Sequence, residues 1–265
     1  MSRIGDRFEE LKAKSEKALI CFLTAGDPNI ATTKSLALEL ERAGADILEL
    51  GAPFSDPLAD GPSIQEASQR ALKHGTTVGD VLALVADIRR SSELPIVLMT
   101  YTNPIVGYGF ARFGRDARAA GVDGVIITDM PPEEADEWKS IADANGLDTI
   151  FLLAPTSPPS RIELVAAAAS GFIYCVSRTG VTGARKDLPI DLQNMIPAIR
   201  GVTDKPIAVG FGVSNPEHVR QVCQMADGAV VGSALVNLVA ERGSDPNLTT
   251  YVGEFVRALK ASTRG

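Results

Sequence analysis

The sequence holds little of what metal and redox sites are made from. Its 265 residues include three cysteines, Cys21, Cys175 and Cys223, and two histidines, His74 and His218. The cysteines form no CxxC pair and lie far apart, as small buried residues of a reducing compartment do. His74 precedes Gly75 at a predicted helix end and His218 falls inside a predicted helix. That placement weighs against a His-rich metal site and against a Ser-His-Asp triad. No run approaches the roughly 20 apolar residues that cross a bilayer. The opening "MSRIGDRFEELKAKSEK" has no apolar signal core. A cytoplasmic protein is expected. Positive charge is also scarce: 26 basic residues face 33 acidic ones, a formal net charge of -7. Nucleic acid and anionic membrane are therefore poor partners, and an anionic ligand must be held by local groups against the overall field. Neither GxGxxG nor GxxxxGK[ST] occurs, which weighs against an open doubly wound sheet. No Pro/Gly/Ser-rich linker splits the chain, so residues 1–265 are expected to form a single domain.

What is present is a recurring theme. A helix-like segment ends in a small or Gly-containing turn near Asp, and a short apolar run follows. It reads "ERAGADILEL" (41–50), "RAAGVDGVIIT" (118–128), "DANGLDTIFLL" (143–153) and "CQMADGAVVG" (223–232). Less regular copies are "ALICFLTAG" (18–26), "ELPIVLMTY" (93–101), "ASGFIYCVS" (169–177) and "DKPIAVGFG" (204–212). Runs that are continuously apolar suit strands covered on both faces. Between them lie amphipathic segments. In "PSIQEASQRALKH", Ile64, Ala67, Ala71 and Leu72 share one helical face. Eight strands alternating with about eight helices predict an α/β (β/α)8 TIM barrel. The segment 3–14 is an extra N-terminal helix, expected to plug the barrel floor.

In such a barrel the chemistry sits at the C-terminal ends of the strands and in the loops that follow. The stretch after the second strand, "ELGAPFSDPLADGP" (49–62), is unusual there, because it sets three carboxylates among three prolines. Glu49 shares a strand face with Ile47, so if Ile47 lines the interior Glu49 does too. Partial desolvation would suit it to acid/base work, whereas pairing with an Arg or Lys would make it structural. Asp60 precedes "GPS" and a helix, so it is either an N-cap or a free loop carboxylate. Asp56 reads alone as a solvated carboxylate. "GFG" after the seventh strand, "GS" at a helix start after the eighth and "GVTG" after the sixth fit a phosphate site built from main-chain N–H groups. No lysine stands at a strand's C-terminal end, which removes Schiff-base chemistry. The residues thus point to two-carboxylate acid/base chemistry on a small phosphorylated molecule.

"LELGAPFSDPLADGPSIQ", with "CFLTAGDP", "SRTGVTG", "GFGVS" and "GSALV" in order along nearly the whole chain, resembles the tryptophan synthase alpha subunit family. The resemblance implies a (β/α)8 barrel that cleaves indole-3-glycerol phosphate to indole and glyceraldehyde 3-phosphate. It also implies a complex, an alpha-beta-beta-alpha hetero-tetramer, with a beta subunit that carries pyridoxal phosphate. No cofactor or metal is implied for this chain. By the same resemblance Glu49 and Asp60 are catalytic, and Phe22 and Tyr174 line the indole pocket. Gly183, Phe211, Gly212, Gly232 and Ser233 hold the phosphate. Thr182 closes a lid, within the loop 178–188, against the catalytic aspartate. Asp56, Pro57, Asn103 and Pro104 meet the partner. Mild departures are Ala52, where Val or Ile is frequent, and Cys175. Three other readings remain open from the residues: another phosphate-binding barrel enzyme, a free-standing lyase that releases indole, and a non-catalytic barrel that regulates a partner.

Overall fold

The computed structural model describes residues 2–176, 190–210 and 212–264. Its strands are β1 (Ala18–Thr24), β2 (Ile47–Gly51), β3 (Ile96–Thr100), β4 (Gly124–Ile127), β5 (Asp148–Leu153), β6 (Ile173–Val176), β7 (Ile207–Gly210) and β8 (Gly228–Val231). They pair in parallel in chain order and close with β8 beside β1, forming an eight-stranded barrel. The surrounding helices are α1 (Arg3–Ala13), α2 (Ile30–Ala43), α3 (Pro62–Lys73), α4 (Val78–Ile88), α5 (Thr102–Tyr108), α6 (Phe110–Ala120), α7 (Asp136–Asn145), α8 (Pro159–Ala168), α9 (Ile190–Arg200), α10 (Pro216–Cys223), α11 (Ser233–Arg242) and α12 (Leu248–Lys260). The expectation of about one helix per strand is therefore too low. β2, β3 and β8 are each followed by two helices, with Gly109 at φ 92° separating α5 from α6. Among the described residues no helix is long and apolar enough to cross a membrane.

The recurring Gly–Asp theme has a physical explanation. Gly44, Gly121 and Gly146 end α2, α6 and α7 in the left-handed conformation that a side chain disfavours. The chain then turns directly into the next strand; Asp46 and Asp123, two residues past Gly44 and Gly121, and Asp227, after Ala226, each clamp the strand before. Asp46 donates its N–H to the Leu19 carbonyl at 2.8 Å and accepts the Leu19 N–H on its carboxylate at 2.8 Å. Asp123 does the same with Ile96, at 2.9 and 2.8 Å, and Asp227 with Ile207, at 2.8 and 2.9 Å. Each clamp is tied to cations: Asp46 to Lys260 at 2.7 Å, Asp123 to Arg89 and Arg3, and Asp227 to Lys17 and Arg200. These devices sit at the N-terminal ends of the strands, away from the strand ends where chemistry is expected.

Two apolar layers result. The outer layer packs helices on the barrel and includes Leu19, Cys21, Leu48, Leu50, Val125 and Trp138. The inner layer includes Ile20, Ile47, Val97, Ile126, Ile150, Phe172, Ala208 and Val230, and α1 adds Ile4, Phe8 and Leu11 to it. The alternation of β1 and β2 between the two layers is the two-residue strand period. The predicted floor plug is thus α1. The Phe8 and Phe172 rings lie 5.8 Å apart, and a methyl on Gly124 would sit 2.9 Å from Ile4 Cδ1, so the absence of a side chain there admits the plug. Ser2 caps α1, accepting the Gly5 N–H at 3.2 Å, and its hydroxyl donates to Asp148.

Asp123→Ala removes the partner of a nearly buried Arg89, whose side chain is 10% exposed, and an acceptor for the Ile96 N–H. The expected loss is about 3–5 kcal/mol in urea unfolding, since an unpaired buried charge is left behind. A loss under about 1 kcal/mol would show that the clamp carries no stability.

Candidate active site at the barrel mouth

The inner strand positions above the apolar floor differ sharply from those below. Phe22 and Glu49 are register partners on β1 and β2, one layer above Ile20 and Ile47. Glu49 is 1% exposed, and among the described residues its Oε2 has no hydrogen-bond partner and no cation pairs with it. The reading of Glu49 as half of a structural ion pair therefore finds no partner there. Burial, and secondarily the charge of Asp60, push its carboxyl up to about 8. At neutral pH it holds a proton.

Asp60 ends the loop from β2 to α3. Gly61, not Asp60, is the N-cap of α3, so the capping alternative is not what the fold adopts. Instead the Asp60 main chain is held: its N–H donates to the Pro57 carbonyl at 3.0 Å and its carbonyl accepts from Gln65 Nε2 at 2.9 Å. The side chain is thereby left free of the helix. Burial raises its carboxyl to about 6, and the Tyr101 phenol opposes the rise. The charge of Asp60 acts on Glu49, and both act on Tyr174, whose phenol is raised first by burial and then by Glu49 and Asp60. The barrel mouth therefore holds an acid that keeps its proton near neutrality and a second that gives it up at lower pH.

Flat apolar walls stand beside them. Phe22 packs with Ala67 and Ile64 of α3, Val236 of α11 and Met99 of β3. A methyl on Gly51 would sit 2.6 Å from the Phe22 ring, and one on Gly210 would sit 2.7 Å from the Tyr174 ring. These two glycines allow the aromatic rings their positions. Sequence reasoning missed both, although each ends a strand, which was the available signal. It also missed Tyr101, which stands in the "TYTNP" block beside the residues it did select.

Gly232 is the N-cap of α11, and Ser233 is that helix's first residue. The N–H groups of Leu235 and Val236 turn back to the Gly232 carbonyl at 2.9 and 3.1 Å. No such main-chain acceptor is seen for those of Ser233 and Ala234 among the described residues, as at any helix start. A methyl on Gly232 would meet Phe22 Cβ only at 3.8 Å, so this helix start lies beside the aromatic wall. Gly212 is exposed, with φ 60° and nothing within 4 Å of a built methyl. Thr182, Gly183, Phe211 and the loop 178–188 lie outside the described residues.

Asp56 and Asn103 are exposed, and Pro57 and Pro104 are half-buried. Beside them Leu58 is 92% exposed and Val106 55%, two apolar side chains that sequence reasoning did not pick out. Among the described residues no group of three or more His, Cys, Asp or Glu could hold a metal. Burial raises all three thiols, led by the fully enclosed Cys21, which fits packing rather than redox use.

Comparison with known proteins agrees with the architecture. The family model described as "Tryptophan synthase alpha chain" matches residues 8–264. The tryptophan synthase alpha chain of Geobacter sp. (strain M21) is 55% identical over 260 residues, covering 98% of this chain and 97% of that one. Among solved structures, tryptophan synthase subunit alpha from Legionella pneumophila str. Paris is 38% identical, with a TM-score of 0.92 over 99% of this chain and 98% of that chain. A chain of Mycobacterium tuberculosis tryptophan synthase is also 38% identical, with a TM-score of 0.93 over 100% of this chain and 99% of that chain.

The buried Glu49 carboxyl makes a prediction independent of turnover. Its ordinary value of 4.5 rises to about 8 in the fold, so the folded state binds the extra proton between these values. Its protonated form contributes stability that is fully present below pH 4.5 and is lost as pH rises through about 8. Glu49→Gln cannot ionise. Its melting temperature should therefore gain on that of the wild type between pH 5 and pH 9. A constant gap would contradict the burial account.

Proposed function

Because the chain belongs to the tryptophan synthase alpha chain family, we propose that it cleaves indole-3-glycerol phosphate into indole and glyceraldehyde 3-phosphate by acid/base work of Glu49 and Asp60. The observation that carries this reading is the buried Glu49 carboxyl, without a cation partner among the described residues and still protonated at neutral pH, under the influence of a more acidic Asp60.

The reaction needs such a pair. The bond between indole C3 and the glycerol chain cannot break until C3 is protonated and the ring becomes an indolenine. Glu49 is suited to donate that proton. Positive charge then develops on the ring nitrogen, whose N–H can be met by an ionised Asp60. As the carbon–carbon bond breaks, its electron pair returns to the ring and restores indole. The hydroxyl on the departing carbon becomes the aldehyde and gives its proton to the Glu49 carboxylate, which is thereby reset. Groups placed for proton transfer contribute about 10²–10⁴-fold each.

Phe22 and Tyr174 would take the flat ring between them. The phosphate would sit at the start of α11, on the N–H groups of Ser233 and Ala234 beside Gly232 and Gly212, where the helix end favours an anion. Gly183 and Phe211 are proposed to complete this cradle and Thr182 to close the lid. The chain would act as one domain, in the cytoplasm, as the alpha half of an alpha-beta-beta-alpha assembly. Its pyridoxal phosphate would belong to the beta subunit, since this half-reaction needs only proton transfer. Asp56, Pro57, Asn103 and Pro104 would face that partner, and the bare side chains of Leu58 and Val106 support the placement, because apolar groups so exposed gain from being covered.

Indole release, assayed with and without the beta subunit, tests the reading. The rate should fall below pH about 6, as Asp60 takes up a proton, and above about 8, as Glu49 loses one. Glu49→Gln should lose nearly all activity and Asp60→Asn about 10²–10⁴-fold, both with the fold intact. Normal turnover by Glu49→Gln would overturn the assignment.

A further inference from the structure

Helix α3 follows the Asp60 loop and rests on a slight footing. Its buried residues are Ala67, Ser68 and Ala71, side chains that gain little from burial. Yet the proposed chemistry leans on this helix. Ile64 and Ala67 back the Phe22 ring. Gln65 donates from Nε2 to the carbonyls of Pro57, at 3.3 Å, and Asp60, at 2.9 Å. Whatever holds α3 in place therefore holds both the aromatic wall and the Asp60 main chain.

The single ion pair of α3 among the described residues stands toward its other end. Arg70 Nε and Nη2 each donate to one carboxylate oxygen of Asp27, both at 2.8 Å. Asp27 lies in the loop after β1 and its side chain is 3% exposed. That loop is itself fastened. The Asp27 N–H donates to the Thr24 carbonyl at 3.2 Å, and the Gly26 N–H donates to Thr33 Oγ1 of α2 at 3.1 Å. The loop also lies against the turn that follows α3, since a methyl on Gly26 would sit 2.3 Å from Thr76 Oγ1. Two planar groups joined by a pair of bonds fix direction as well as distance, which a lysine ammonium does not. Arg70 thus sets the orientation of a helix that its small buried side chains leave weakly determined.

We propose that Arg70 is a positioning residue: clasped to Asp27, it holds α3 so that Gln65 keeps Asp60, and Ile64 and Ala67 keep Phe22, in place around the substrate ring. This rests on the reading of Asp60 as the group that meets the ring nitrogen. Loosening the clasp misplaces that carboxylate and admits water to it. Burial delays its ionisation to about pH 6, so added water lets it ionise at lower pH. The other titratable groups that bear on Asp60 among the described residues are Glu49 of β2, Tyr174 of β6 and Tyr101 after β3, and all three keep their protons at pH 6.

The test reads indole release against pH, in the complex with the beta subunit, for wild type, Arg70→Lys, Arg70→Gln, Asp27→Asn, the Arg70→Gln/Asp27→Asn double variant and Asp60→Asn. Arg70→Lys keeps the charge and loses the fork. It should melt within about 4 °C of wild type, yet lose about 10-fold or more in kcat. Its acid limb should move down by about half a pH unit. The substrate phosphate titrates alike for every protein, so the displacement between curves is the readout. If the pair acts as a unit, the double variant loses no more activity than either single one. Wild-type kcat in Arg70→Lys, an acid limb left in place, or activity that merely follows melting temperature across the series overturns the role of Arg70. A crippled Asp60→Asn beside such a result leaves the Asp60 reading standing, whereas wild-type rates in Asp60→Asn overturn both.

Discussion

A carboxyl group shut away from water, with no cation seen beside it among the described residues, governs the mouth of this barrel. Taking an ionised carboxylate out of water without a partner costs far more than one contact returns, so the group keeps its proton instead. That response makes Glu49 an acid at the pH where ordinary glutamates are bases. The rest of the site follows from holding this unfavourable arrangement steady: an aromatic wall that excludes water, a second acid that ionises first, and a loop pinned at several points.

The opposite end of the barrel supplies the steadiness. Three aspartates clamp preceding strands by paired main-chain bonds, and each is tied to lysine or arginine. Helix α1 fills the floor with Ile4, Phe8 and Leu11. Carboxylates therefore appear in two opposite settings in one barrel. At the floor they are paired and hydrogen-bonded and serve the fold. At the mouth no such compensation for Glu49 is seen among the described residues, as its proposed chemistry requires. Stability and reactivity are separated along the strand axis, as they are in barrels of this class.

The loop between β2 and α3 joins the proposed chemistry to the proposed partner surface within a few residues. Leu58 points into solvent, Ala59 is hydrogen-bonded to Tyr101, and burial raises the carboxyl of Asp60. Tyr101 in turn stands just before α5, which carries Asn103, Pro104 and Val106. A partner covering Leu58 and Val106 would press on both sides of that hydrogen bond. Coupling to the proposed partner would then have a short mechanical route, and it would require a differential effect on two states of the loop rather than a distant signal.

Much of this was legible in the residues. Continuous apolar runs separated by Gly and Asp determine strands covered on both faces, because only that setting suits such runs. The two-residue period puts Glu49 on the same face as Ile47 whatever the rest of the chain does. The segment 3–14 likewise reads as an extra helix ahead of the first strand, expected at the barrel floor. What the sequence could not decide were relations between distant segments. Asp60 could have capped α3, and only the fold places Gly61 at that position and leaves the carboxylate free. Gly51 and Gly210 look like ordinary turn glycines until the rings of Phe22 and Tyr174 are laid over them. Tyr101 gains its meaning from Ala59, 42 residues earlier. Periodicity is a local property that the chain carries with it, whereas burial, hydrogen-bond partners and the shift of a proton depend on which segments meet, and barrel closure alone determines that.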